Sequence, residues 1–295
     1  IRHCNIFISN IDKVPDMSTE EKNKWKAEVK ILKSYYHFLL FQQIGPIPLI
    51  DENLELGESS ENVKIRREKI DDVINYIVRN IDEAIPYLDE ITFEQRNFGK
   101  INKVIALAFK AKLLTYAASP FYNGNTDYAA FLNENGEPFF NQSYDASKWD
   151  RALTACKEAI DISEKNSYKL YKIDDAMIPP SGRTISKDTR IQLDLRGAMT
   201  ESYNDEILWA NPRSVNTSTQ FLSLTPKFLS NFSGYGCFSI SVNTAEEFYT
   251  KNGVPIEEDP TWNYNERYNL ITTPTTGTVF LNPNYKTAKL NIDRE

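Results

Sequence analysis

Forty-one carboxylates, two histidines and three cysteines are the groups through which this chain of 295 residues could do chemistry. Glycoside hydrolysis needs two carboxyl groups facing each other across a sugar, and pairs such as Glu246-Glu247 and Glu257-Glu258 supply the residue type. Among so many acids, adjacent pairs arise by chance and read as solvated faces. His3 and His37 lie within helical patterns, with no His-Glu-x-x-His, phosphate loop or nucleophile elbow around them. Histidines so placed read as structural. Cys4, Cys156 and Cys237 have no metal-ligand spacing and cannot all pair with one another; Cys156 falls on an apolar stripe and reads as a buried free thiol. No catalytic residue, metal ligand or cofactor motif follows from these residues.

Binding chemistry is better represented. Sugars present apolar C–H faces that stack on aromatic rings, and hydroxyls that pair with planar amides, carboxylates and guanidinium groups. The chain holds 16 tyrosines, 16 phenylalanines and 4 tryptophans. Several of these rings cluster in polar loops: Phe121-Tyr122-Asn123-Gly124-Asn125-Thr126-Asp127-Tyr128, Phe232 with Tyr235, and Trp262-Asn263-Tyr264-Asn265. The candidate ligand-binding residues are therefore Tyr122, Asn123, Tyr128, Tyr235, Trp262 and Tyr264, with Trp262 and Tyr264 as the stacking platform. Trp25, Trp149 and Trp209 lie in periodic or strand-like apolar contexts and read as core. A formal charge of −7 excludes the dense basic footprint of a nucleic-acid surface, and Lys64–Lys69 reads as the solvated entrance to a helix.

Long amphipathic helices must position these loops. Trp25, Val29, Leu32, Tyr36, Leu39 and Gln43 recur at helical spacing, with Ser18 and Glu21 as a capping box before them and Gly45-Pro46 as the stop. The exit is a stiff apolar turn, Ile44-Gly45-Pro46-Ile47-Pro48. Ile70, Val73, Ile74, Ile77, Ile81, Ala84, Ile85 and Leu88 form a second stripe that ends near Pro86. A third helix follows Asn102, with Val104, Leu107, Ala108, Ala111, Leu114 and Ala118 on its face, and halts at Ser119-Pro120. Its small side chains let neighbouring axes approach closely. A fourth begins at Ser147, capped with Asp150, and carries Trp149, Ala152, Leu153, Cys156, Ala159, Ile160 and Ser163; residues 1–11 look like the end of a fifth. The alternation of small and large residues is similar to tetratricopeptide helix pairs, without a clean repeat of 34 residues.

The order of these segments resembles the SusD/RagB family of glycan-capturing outer-membrane lipoproteins of Bacteroidetes. The residues that carry the likeness are AEVKILKSYYHFLLFQQIGPIPLI (27–50), the helix ending EAIPYL (83–88), GKINKVIALAFKAKLLTYAASPFYNGN (99–125) and WDRALTACKEAID (149–161). EEFYTKNGVPIEE (246–258) resembles the family's strand and turn, and NIDRE (291–295) the start of an Asn-Arg-Asp-Pro-Arg-Phe-like segment. The resemblance implies a mainly α, tetratricopeptide-like fold with an irregular loop and short-strand region. It also implies a chain incomplete at both ends, with membrane attachment only through a lipid anchor outside this sequence. The expected function is non-catalytic capture of glycans at the outward-facing surface of the outer membrane and delivery to a SusC-like TonB-dependent transporter. A tetratricopeptide-like peptide-binding scaffold is the rival of a different class, and a glycoside hydrolase a weaker one.

From about residue 167 the pattern turns to loops and short strand-like runs, so the expected organisation is one domain over 1–295, helical over 1–166 and loop-rich over 167–295. Pro179-Pro180-Ser181-Gly182, Asn211-Pro212, Ser233–Gly236 and Thr273–Gly277 are turn signals, and Ile207–Ala210 reads as a short buried strand. Loops this long carry function in many compact proteins. No apolar run approaches the length of a membrane span.

Overall fold

The computed structural model describes residues 1–54, 57–59, 61, 63–92, 99–174, 185–210 and 241–266. The chain divides into two compact units, Ile1–Asn211 and Pro212–Glu295. The first is built of helices α1 (Arg2–Asn10), α2 (Thr19–Ile44), α3 (Ile70–Ala84), α4 (Lys103–Ala118), α5 (Ser147–Lys165) and α6 (Lys187–Thr200). The described part of the second holds a short helix, α7 (Val242–Glu246), and a turn of 3-10 helix, Tyr264–Glu266. Short extended pairings are single bridges: Asn123 with Asn141, Leu132 with Pro138, and Tyr249 with Pro255. The protein is mainly α, with tetratricopeptide-like packing of consecutive helices: α1 on α2, α2 on α3, α3 on α4 and α4 on α5.

Helix starts follow their local chemistry. Ser18 and Glu21 form the expected reciprocal capping box, with Glu21 N–H donating to Ser18 Oγ at 3.2 Å and Ser18 N–H to Glu21 Oε2 at 2.9 Å. Asn102 caps α4 by accepting from Ile105 N–H at 3.0 Å. The start of α5 differs from expectation: Ser147 is already helical, and Asp145 accepts its N–H at 2.9 Å in place of a Ser147–Asp150 box. At the end of α2, Gly45 takes φ 81°, where a side chain would be strained, and donates to Phe41 O at 2.8 Å. Pro46 and Ile47 then bury themselves, so the stiff turn is part of the core.

The stripe on α3 is as expected: Ile70, Val73, Ile74, Ile77, Ile81 and Ala84 are all buried. On α2 the face is different. Ala27, Ile31, Ser34, Phe38 and Phe41 are buried, while Tyr36 and Leu39 of the expected stripe are exposed and Gln43 with them. The helix is apolar on more than one side, so periodicity fits two faces equally well. Aromatic packing decides between them: Phe38 meets Phe109 and Tyr116 edge-on at 5.5 and 5.7 Å. Trp25 is 41% exposed rather than core, its ring held by Phe7 at 6.5 Å and by the Lys100 ammonium at 5.1 Å.

The same correction applies to α5. Among the described residues its main helix partner is α4, and it buries a narrow stripe of Lys148, Ala152, Ala155 and Ala159. Alanines on this face and on α4 (Ala106, Ala111, Ala117, Ala118) allow close approach of the two axes. Trp149, Leu153 and Ile160 are on the surface of the described structure, and Cys156 is half-buried, its sulfur 3.6 Å from Thr115 Oγ1. Ile207–Ala210 forms no strand and is half-buried; Trp209 packs edge-on to Tyr35 at 5.1 Å and donates to Gly99 O at 3.1 Å. Helix α6, within the stretch read as loop, is capped by Ser186, which accepts from Thr189 N–H at 3.1 Å. The turn signals at 179–182, 211–212, 233–236 and 273–277, and the segment 291–295, lie outside the described residues.

Candidate functional site

The end of α4 positions the first aromatic cluster. After Ser119-Pro120, Tyr122 N–H donates to Ser119 O at 2.9 Å and the chain folds its rings back onto the helices. Tyr122 is 3% exposed: it lies parallel to Phe140 at 6.0 Å and against Phe41 and Tyr116 at 4.8 and 5.2 Å. Burial, and then the hydrogen bond with Tyr116, raise its phenol pKa above the usual range. Asn123 is buried too, a two-way tie between loop ends, donating to Asp145 O at 2.9 Å and accepting from Asp145 N–H at 2.8 Å. Of the residues expected at the site, Tyr122 and Asn123 thus lie beneath the surface. Tyr128 is 41% exposed and stacked on Phe140 at 4.7 Å with 17° between planes. Phe121, also exposed, meets Tyr128 edge-on at 5.6 Å. Sequence alone marked the cluster but could not say which ring is floor and which is foundation; Phe139-Phe140, the paired rings that support it, were the missed signal.

The second cluster belongs to the Pro212–Glu295 unit. Tyr249 bridges Pro255 across an Asn252-Gly253 turn, with Gly253 at φ 72°. Buried Asp259 organises the far side: it accepts from Thr250 Oγ1, Asn252 Nδ2 (3.0 Å), Thr261 N–H (2.9 Å) and Thr261 Oγ1 (2.7 Å). These bonds, with Thr250's the largest contribution, hold its carboxyl well below the usual carboxylate range. The framework presents Trp262 and Tyr264, both half-buried, with ring centroids 6.0 Å apart and planes at 57°. Tyr264 donates to Glu246 Oε2 at 3.1 Å, so a member of one adjacent acid pair is a positioning group. Glu257 and Glu258 are solvated. Tyr235, the remaining expected site residue, lies outside the described residues.

The ionisable groups of the helical unit are built into its frame. His37 is fully buried; its Nδ1 pairs with Lys33 O at 2.9 Å, and Ile50 N–H donates to Nε2 at 3.4 Å, which uses the neutral ring on both sides. Burial lowers its pKa from the ordinary 6.5, with the Lys33 charge acting in the same direction and the Lys33 carbonyl and Asp51 opposing. The unfolded chain therefore takes up a proton that the folded one resists. The resulting stability is present above pH 6.5 and is lost as pH falls below it. The urea midpoint is expected to drop between about pH 7.5 and about pH 5.5, and His37→Gln to flatten that drop; equal slopes for the two proteins would remove His37 as the cause.

Among the described residues no group of three or more His, Cys, Asp or Glu is arranged to hold a metal ion, and no helix is long and apolar enough to cross a membrane. Residues 1–114 match a family, SusD-like_3, whose description reads "Starch-binding associating with outer membrane". A solved structure named BT4246 is 30% identical, with a TM-score of 0.73 over 88% of this chain and 47% of its own. Its selenomethionine form aligns at 30% identity and a TM-score of 0.69, over 87% of this chain and 46% of its own. A SusD-like protein from Bacteroides fragilis NCTC 9343 aligns at 19% identity and a TM-score of 0.43, over 58% of this chain and 26% of its own. None of the curated proteins matches. The chain spans about half the length of the BT4246 structures.

Proposed function

We propose that this chain, similar to SusD-like proteins over residues 1–114 and to BT4246 over 88% of its length, captures glycans by binding alone, without catalysis, at the outward-facing surface of the outer membrane. The match of residues 1–114 to the SusD-like family, together with the shared fold of BT4246, is the observation that carries this reading. A lipid anchor outside this sequence would hold the protein to the membrane, and a SusC-like TonB-dependent transporter would receive the ligand. Tyr128 and the Trp262–Tyr264 pair are the proposed stacking surfaces. Each has a ring braced by another aromatic, so a sugar face meets it without an ordering cost of the side chain.

Affinity gels loaded with starch, xylan, laminarin and mucin test the reading directly. Retardation by at least one polysaccharide is expected; migration unaffected by all of them, in a folded protein, would favour the peptide-binding scaffold. Trp262→Ala is expected to weaken binding of the retained glycan by about 1 to 3 kcal/mol, from the loss of stacked aromatic area. Unchanged affinity in calorimetry would remove Trp262 from the site.

A further inference from the structure

We propose that a polar cavity between α1, α2, α3 and the segment following the Pro46–Pro48 turn is a second saccharide subsite, one that binds through hydroxyls rather than by stacking. It has a volume of about 840 Å³ and is lined by Asn5, Lys33, Asp51, Glu52 and Arg79 among others. That volume is within the range of ligand pockets, roughly 300 to 1,000 Å³. The proposal rests on the reading of the protein as a glycan binder, but moves part of the recognition from loops to the rigid helical frame.

The walls are fixed by their own ion pairs. Lys33, nearly fully buried, places its Nζ 2.8 Å from Asp51 Oδ1 and 2.7 Å from the Asp51 carbonyl, while Tyr76 donates to the same carboxylate at 2.8 Å. Lys30 pairs with Glu83 across the cavity wall at 2.8 Å. Two cations and two acids are thereby neutralised, leaving Arg79 and Glu52 with no hydrogen bond to a described residue. Arg79 is still held in place, its guanidinium carbon 5.4 Å from the centroid of the Tyr76 ring.

Asn5 supplies the independent observation. It is 6% exposed, its Nδ2 makes only long bonds, to Ile50 O at 3.4 Å and Asn53 Oδ1 at 3.5 Å, and its Oδ1 accepts none. A buried acceptor left unpaired is costly, and this amide, held by long bonds, belongs to a residue of the cavity wall. An open planar donor fork, an open carboxylate and an unpaired amide acceptor, in a cavity whose other charges cancel, match a neutral molecule with donors and acceptors on adjacent carbons. A short neutral saccharide has that chemistry; an acidic or basic ligand would bring a charge with only one of the two open groups to meet it.

The test is isothermal titration of the purified protein with maltohexaose, cellohexaose and xylohexaose, repeated on Arg79→Met and on Ser9→Trp, which fills the cavity from an exposed rim position. For the hexasaccharide that binds, Arg79→Met and Ser9→Trp are each expected to lower affinity at least about ten-fold with melting temperatures unchanged. Wild-type affinity in both cavity variants would overturn the subsite while leaving glycan capture intact. Failure of the wild-type protein to bind any of the three probes or any polysaccharide in the gels would overturn both.

Discussion

Phe38→Ala is expected to destabilise the helical unit by about 3 to 5 kcal/mol, the cost of emptying a fully enclosed aromatic site. Phe38 is 1% exposed and contacts Phe109 and Tyr116 edge-on, so removing it strips two rings of α4 of a partner at once. Tyr36→Ala, two residues away on the other apolar face, is expected to cost less than about 1 kcal/mol, because its ring is already exposed. The comparison is made by urea unfolding with the slope held common to both variants. Equal losses would mean that α2 is turned the other way in solution.

Tyr122→Ala and Tyr128→Ala are expected to separate folding from binding. Tyr122 is packed against Phe41, Tyr116 and Phe140, and its truncation is expected to cost about 3 to 5 kcal/mol of stability. Conditions that keep that variant folded should leave its glycan affinity close to wild type. Tyr128 lies on the outer side of the same Phe140 ring, so its truncation is expected to cost about 0.5 to 1.5 kcal/mol of stability. On a glycan that stacks there, the affinity loss should be about 1 to 3 kcal/mol. The readouts are unfolding midpoints and calorimetric titration of the same two proteins. A Tyr122→Ala protein that stays stable but loses affinity would reverse the assignment of floor and foundation.

The sequence by itself determined the existence and ends of the helices wherever local chemistry decides them. The Ser18–Glu21 box, the Asn102 cap, and the breaks at Gly45-Pro46 and Ser119-Pro120 act within one turn of chain, so no distant residue is needed to enforce them. The core face of α3 was equally legible, because its apolar residues occupy one side and charged ones the other. Helix α6 was not, since Ile191, Leu195 and Met199, its apolar residues at helical spacing, are exposed and bury no stripe.

Only the tertiary structure decided which side of α2 and α5 faces inward, and which aromatic residues are available to a ligand. Both helices carry apolar residues around much of their circumference, so each has more than one plausible buried face; the neighbouring helix selects one and leaves the rest to solvent. The same holds for the polar cavity. Asn5, Lys33, Glu52 and Arg79 are unremarkable charged or amide residues in their own segments, and they acquire meaning by being brought from α1, α2, α3 and a loop to one place. Periodicity reports the shape of one helix at a time, whereas burial is a property of pairs of surfaces and is settled when they meet.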